Sequence, residues 1–157
     1  MGRVDTATLL YFDASCLIAA AASPTGGSAF IWNLCERGLL RAAVSQAVLA
    51  EAETNLARKF EPQCLLRHRI QVQTCAPIVA PVPRIDAHAT AYPGVNRKDE
   101  HVVAAALEVR ADFLLTLDQP LAEEIERSAV DIQVRSPGAF IRLDLVTHPL
   151  FDLLRDG

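Results

Sequence analysis

The side chains able to do chemistry in this chain are acids. Asp13 and Asp118 each end an apolar run, Asp99 opens a helical one, and a glutamate, Glu51 or Glu53, stands between them in sequence. Three or four carboxylates brought together without matching bases repel one another and raise one another's pKa values. A hard divalent cation removes that cost, and an all-oxygen donor set selects Mg²⁺ or Mn²⁺. The chemistry to expect is metal-assisted hydrolysis, in which the ion lowers the pKa of bound water. Competing chemistries have weaker support. The histidines, His68, His88, His101 and His148, are scattered, and no nucleophilic triad is visible. His101, two residues past Asp99, reads as a helix-surface residue rather than a ligand. Cys16, Cys35, Cys64 and Cys75 show no CxxC pair and no metal-ligand spacing, which suits reduced, packed thiols in a cytosolic protein. Gly26-Gly27 lacks a phosphate-cradling fingerprint and reads as a loop or cap.

The acids converge only if the elements carrying them do. The stretch Arg97 to Leu121 reads as a helix, a tight turn and a strand. Lys98-Asp99-Glu100 places acids in a first turn, where the helix dipole favours them. Val102, Val103, Ala106, Leu107 and Val109 follow at helical spacing. Phe113 to Leu117 is an unbroken apolar run, the mark of a strand covered on both faces. A helix packed antiparallel to the strand it precedes starts at the edge where that strand ends. Asp99 and Asp118 therefore share one sheet edge, and open α/β sheets place their sites there. Thr8 to Phe12 predicts a first strand whose end, Asp13, falls on the same edge. Leu39 to Val44 is a second strand, and Ser45 an N-cap for a helix from Gln46 to about Phe60. Leu49, Ala52, Leu56 and Phe60 are its expected buried stripe. Glu51, six residues past Ser45, lies roughly 9 Å along that helix at ~1.5 Å per residue. Helical side chains lean toward the N-terminus, so its carboxylate is able to reach the same edge. Glu53 competes, and periodicity does not choose between them. Asp112 reads as a turn residue at the opposite edge.

The remaining chain predicts a helix from about Pro62 to Gln73, a short strand at Ala76–Val79, and a proline-punctuated connection up to Asn96 through Pro81, Pro83 and Pro93. Pro120–Arg127 is helical, Val130–Val134 is a last strand, and Ser136-Pro137 opens a short terminal helix. Strands alternating with helices imply a parallel sheet of about five strands, with helices on both faces: a three-layer α/β/α sandwich in one domain over residues 1–157.

In this order the pieces resemble the PIN domain, of the kind found in VapC-type toxins of toxin–antitoxin pairs. The matching residues are Phe12-Asp13-Ala14-Ser15, Ser45 with Glu51, and Lys98-Asp99-Glu100-His101 before an Ala-rich helix. Phe113 to Asp118 and Ser136-Pro137-Gly138-Ala139-Phe140 also match. The chain departs from the family at Leu117, where a basic or polar residue often stands, and at Pro120-Leu121, where an aromatic often follows. The resemblance implies an endoribonuclease dependent on Mg²⁺ or Mn²⁺, with Asp13, Glu51, Asp99 and Asp118 as catalytic, metal-holding acids. It thereby prefers Glu51 to Glu53. It further implies supporting roles for Ser15 and Thr116, an RNA substrate, an antitoxin partner and a homodimer. Arg97 and Lys98, beside the expected site, are candidate phosphate contacts, and Arg58, Lys59, Arg67, His68 and Arg69 form a looser basic cluster.

Totals bound these expectations. The chain has 157 residues, 51% hydrophobic and 22% charged, which suits one folded domain rather than a disordered one. A net charge of −4 argues against passive nucleic-acid binding by a basic surface. It does not oppose a nuclease whose metal supplies positive charge. Asp13 inside the apolar run from Leu9 to Ala22 argues against a cleaved leader, and no segment is long enough to span a membrane. Two rivals stand beside the nuclease: a binding module that keeps the fold without turnover, and a phosphatase with Asp13 as nucleophile, for which a second acid is expected where Ser15 stands.

Overall fold

The computed structural model of the protein describes residues 3–81 and 92–155. Pro83 and His88, in the expected proline-punctuated connection, lie outside them. The described strands are β1 (Leu9–Phe12), β2 (Arg41–Ser45), β3 (Ile78–Ala80), β4 (Phe113–Leu115) and β5 (Gln133–Arg135). They form one fully parallel sheet in the order β3-β2-β1-β4-β5, with Tyr11 aligned to Ala43 on one side and to Leu114 on the other. The helices that layer the sheet are α1 (Ala14–Ala22), α2 (Gly27–Glu36), α3 (Gln46–Lys59), α4 (Pro62–Cys75), α5 (Glu100–Glu108) and α6 (Gln119–Arg127); the short helix expected after Ser136 follows as α7 (Pro137–Ala139), and α8 (Phe151–Arg155) closes the described chain. The result is the expected three-layer α/β/α sandwich. Among the described residues, no single helix is long and apolar enough to cross a membrane.

The sheet is built outward from β1, and then reverses. From β1 the chain moves to β2 and β3 on one side, then returns to lay β4 and β5 on the other. The reversal opens a crevice beyond the carboxyl ends of β1 and β4, the place where such sheets bind ligands. Both central strands are buried along their full length, as strands covered on two faces must be. Phe12 meets Trp32 of α2 edge to face at 4.9 Å, and Phe113 meets Phe140 at 5.2 Å. Asp112 fixes the opposite edge, where its Oδ2 accepts the Leu9 N–H at 2.8 Å.

Several boundaries and faces differ from the sequence reading, each for a local reason. Helix α4 runs on to Cys75 and ends at Ala76 in the left-handed region (φ 49°), so β3 starts at Ile78 rather than Ala76. On α3 the buried face is Val48, Ala52 and Leu56; Leu49 is only half-buried and Phe60 is exposed. Phe60 follows the last helical residue and leaves the stripe there. Strand β4 stops at Leu115, and Leu117, expected to be covered on both faces, is half exposed. The Thr116 N–H still donates to the Arg135 carbonyl of β5 at 3.0 Å, but the Leu117 N–H goes to Ser15 Oγ at 2.9 Å and the chain turns away from the sheet there. The first turn at Arg97–Asp99 is a 3₁₀ turn feeding α5, and β5 is shifted to Gln133–Arg135.

Candidate active site

Asp13 is the first residue after β1 and holds the N-cap position of α1, yet its side chain caps nothing. Its backbone N–H donates to the Leu115 carbonyl at 3.0 Å, tying the end of β1 to the end of β4. The carboxylate is therefore free for other work, and it is buried (7% exposed). Oδ2 accepts the Thr116 hydroxyl at 2.7 Å and the Ser15 hydroxyl at 3.1 Å. Both hydroxyls are themselves held by backbone: Ser15 Oγ accepts from Leu117 N at 2.9 Å, and Thr116 Oγ1 from Asp118 N at 3.0 Å. Fixed backbone donors thus orient the hydroxyls, and the hydroxyls orient Asp13.

Asp118 serves two ends. Its Oδ1 accepts the Leu121 N–H at 3.2 Å and caps α6, while the residue also lines the cleft that Asp13 faces. That cleft has a volume of about 330 Å³, and its polar lining is Asp13, Ser15, Glu51, Asn55, Lys98, Asp99, His101 and Asp118. Asp99 arrives on the 3₁₀ turn before α5, and Glu51 from α3. Among the described residues the ion pairs within 4 Å are Arg69–Glu53 and Arg135–Asp144, so none of the four cleft acids has a basic side chain at that distance.

Electrostatics follow from that crowding. Partial burial in the cleft raises the pKa of Glu51 above the usual carboxylate range, and the Asp13 charge adds to it. His101 opposes the rise, and Asp99 and Asp118 add smaller increments. Asp99 is also raised, first by burial; Lys98 pulls it back, and Asp118, Glu124 and Asp13 push it up.

The structure thus brings together Asp13, Ser15, Glu51, Lys98, Asp99, Thr116 and Asp118. Arg97, in the same turn as Lys98 and Asp99, does not line the cleft. Glu53 is turned away, paired with Arg69 of α4 at 2.6 Å. The looser basic cluster comes apart: His68 is buried, Arg67 donates to the Ala21 carbonyl, and Arg69 is committed to Glu53. His101, expected on the helix surface, lines the cleft from the first turn of α5. Asn55 was not anticipated at all; its spacing of four from Glu51, one turn along the same face, was the available signal. Glu100 is buried (1% exposed), and neither of its carboxylate oxygens has a hydrogen-bond partner among the described residues.

Among the described residues, no three His, Cys, Asp or Glu side chains form a ready-made metal cage. The donor set still suits a hard cation. Mg²⁺ keeps several waters and binds through one or two carboxylates plus substrate phosphates, not through a dedicated protein cage. Four acids facing one polar cleft fit that mode.

The fold is shared with a solved structure, VapBC2 from Rickettsia felis bound to a DNA fragment from their promoter. The likeness has a TM-score of 0.57 at 16% identity, over 82% of this chain and 98% of that one. Comparison with curated proteins gives no match. A family model described as PIN domain matches residues 10–120, a span that begins in β1, ends at the start of α6 and takes in Asp13, Glu51, Asp99 and Asp118. With the parallel sheet reversing at β1 and the acids gathered at that reversal, the chain belongs to the PIN-domain family.

Proposed function

We propose that the protein is an endoribonuclease dependent on Mg²⁺ or Mn²⁺, acting as the toxin of a toxin–antitoxin pair. One observation carries the reading: four acids, Asp13, Glu51, Asp99 and Asp118, line a single cleft with no basic side chain within 4 Å among the described residues. Such a cluster is costly unless something positive enters it.

Asp13, Glu51 and Asp99 would hold the metal, and Asp118 completes the pocket. When bound, the ion lowers the pKa of water and neutralises charge on the scissile phosphate. The chain's own residues supply the rest. Ser15 and Thr116 fix the Asp13 carboxylate in one orientation through two hydrogen bonds. Asp118, whose carboxylate is held by the α6 cap, would orient the attacking water. Lys98 at the cleft receives a flanking phosphate, with Arg97 next to it in the same 3₁₀ turn. Cleavage in this way leaves a 5′-phosphate. The likeness to VapBC2 supports an antitoxin partner, and the apolar composition supports a homodimer. A dimeric mass by light scattering at micromolar concentration is expected, and a monomeric mass would contradict the pairing.

The test is cleavage of a mixed RNA pool with Mn²⁺. Turnover should stop with chelator and in the Asp13→Asn variant, with circular dichroism confirming its fold. RNA binding without turnover by the wild type would instead identify a non-catalytic binding module.

A further inference from the structure

Helix α3 carries more than Glu51 toward the cleft. Asn55 lies one turn further on, and its amide N–H donates to the Glu51 carbonyl at 2.8 Å. That bond fixes which end of the amide is which: one of the two N–H groups is used on the backbone, and Oδ1 is an acceptor at a residue that lines the cleft. Arg58 and Lys59 follow in the last turn of α3, both exposed. Arg58 is seven residues after Glu51, close to two full turns at ~3.6 residues per turn, so it shares Glu51's side of the helix. Lys59 is four after Asn55 and shares its side. The opposite edge is marked independently by Glu53, which pairs with Arg69 of α4. Neither Arg58 nor Lys59 has an acid within 4 Å among the described residues. Most described Lys and Arg are likewise outside ion pairs; what sets these two apart is that they follow Glu51 and Asn55 along α3.

We propose that the strip of α3 formed by Asn55, Arg58 and Lys59 is the track on which a single RNA strand lies as it leaves the cleft. Asn55 Oδ1 accepts a ribose 2′-OH, and Arg58 and Lys59 hold the phosphates beyond it. The strip spans about 11 Å from Glu51 at ~1.5 Å per residue. Lys98 lines the same cleft from the turn before α5, so two separate elements offer cations to the strand. The 2′-OH is the one donor that RNA has and DNA lacks, and an acceptor with no other partner is the group suited to read it. The track rests on the ribonuclease reading for the identity of its strand.

The test measures binding rather than turnover, with chelator present so that nothing is cut. A short fluorescein-labelled RNA is titrated by anisotropy between roughly 50 and 200 mM salt. Each phosphate contact to a single strand contributes a slope of about −0.7 in log K against log salt. The Arg58→Gln/Lys59→Gln double variant should therefore lose about 1.4 from the wild-type slope, and Arg110→Gln, at the far edge of the sheet, should lose nothing. The Asn55→Leu variant should lose a preference of about fivefold for RNA over the same sequence in deoxyribose form, the scale of one neutral hydrogen bond. An unchanged slope in the double variant overturns the track, and with a lowered melting temperature it assigns the pair to the helix end alone. A ribose preference that survives Asn55→Leu overturns the sugar contact. A protein that binds with the expected slopes but cuts nothing with Mn²⁺ sinks the nuclease reading and leaves the track standing. A nuclease whose slope ignores Arg58 and Lys59 does the reverse.

Discussion

The Thr116 hydroxyl donates to Asp13 Oδ2 at 2.7 Å, joining residues 103 apart in sequence at the ends of two neighbouring strands. The same oxygen accepts the Asp118 N–H, so one buried side chain sets both an acid and the backbone of the next acid. Thr116→Val keeps the shape and removes both bonds. Cleavage should fall about 10- to 100-fold, the usual cost of losing a partner that orients a metal-binding carboxylate. Stability should fall by about 1–3 kcal/mol, because the buried Asp13 carboxylate loses a hydrogen-bond donor. Thr116→Ser should restore most of the activity; equal loss in both variants would show that the hydroxyl is not what matters.

The acids separate by geometry. Asp13→Asn and Glu51→Gln should each lower cleavage by more than about 100-fold, beyond the range for an outer partner. Glu53→Gln removes only the surface pair with Arg69. It should cost under about 1 kcal/mol in stability and leave cleavage near wild type. Asp112→Asn, at the opposite edge, should be equally silent for cleavage. Loss at Glu53 with Glu51 spared, measured on folded variants, would move the site to the wrong face of α3.

Metal and pH act on the same cluster in opposite directions. Glu51 and Asp99 hold protons more tightly folded than unfolded. Their favourable contribution is therefore full below the ordinary values of 4.5 and 3.8 and is lost as pH rises through the folded values. Without metal, Glu51→Gln and Asp99→Asn should each melt above wild type at pH 8, with the gain vanishing as pH falls below 4. Mn²⁺ should raise the wild-type melting temperature by mass action and raise the Asp99→Asn variant less. Identical Mn²⁺ responses would remove Asp99 from the ligand set.

Glu100 offers a stability test apart from catalysis. Its carboxylate is buried without a hydrogen-bond partner among the described residues, a costly arrangement that an apolar side chain of similar length avoids. Glu100→Met should stabilise the fold by about 1–3 kcal/mol in urea unfolding. A destabilised Glu100→Met would mean that the carboxylate is needed where it stands.

The alternation of strands and helices, the burial of β1 and β4, and the placement of Asp13, Asp99 and Asp118 at one sheet edge were all legible in the order of residues. Those follow from runs and periods that a parallel sheet must obey, because strand ends and helix starts are local events. Tertiary structure decided what depends on the angle at which elements meet. Glu51 and Glu53 sit two residues apart on one helix and are equal by pattern, but Arg69 of α4 takes Glu53 and leaves Glu51 to the cleft. His101 lines the cleft, and Leu117 emerges where its N–H goes to Ser15 Oγ rather than to a neighbouring strand. Asn55 gains a role only from its neighbours. Periodicity sets which side a residue is on, whereas the groups waiting on that side belong to chain far away in sequence.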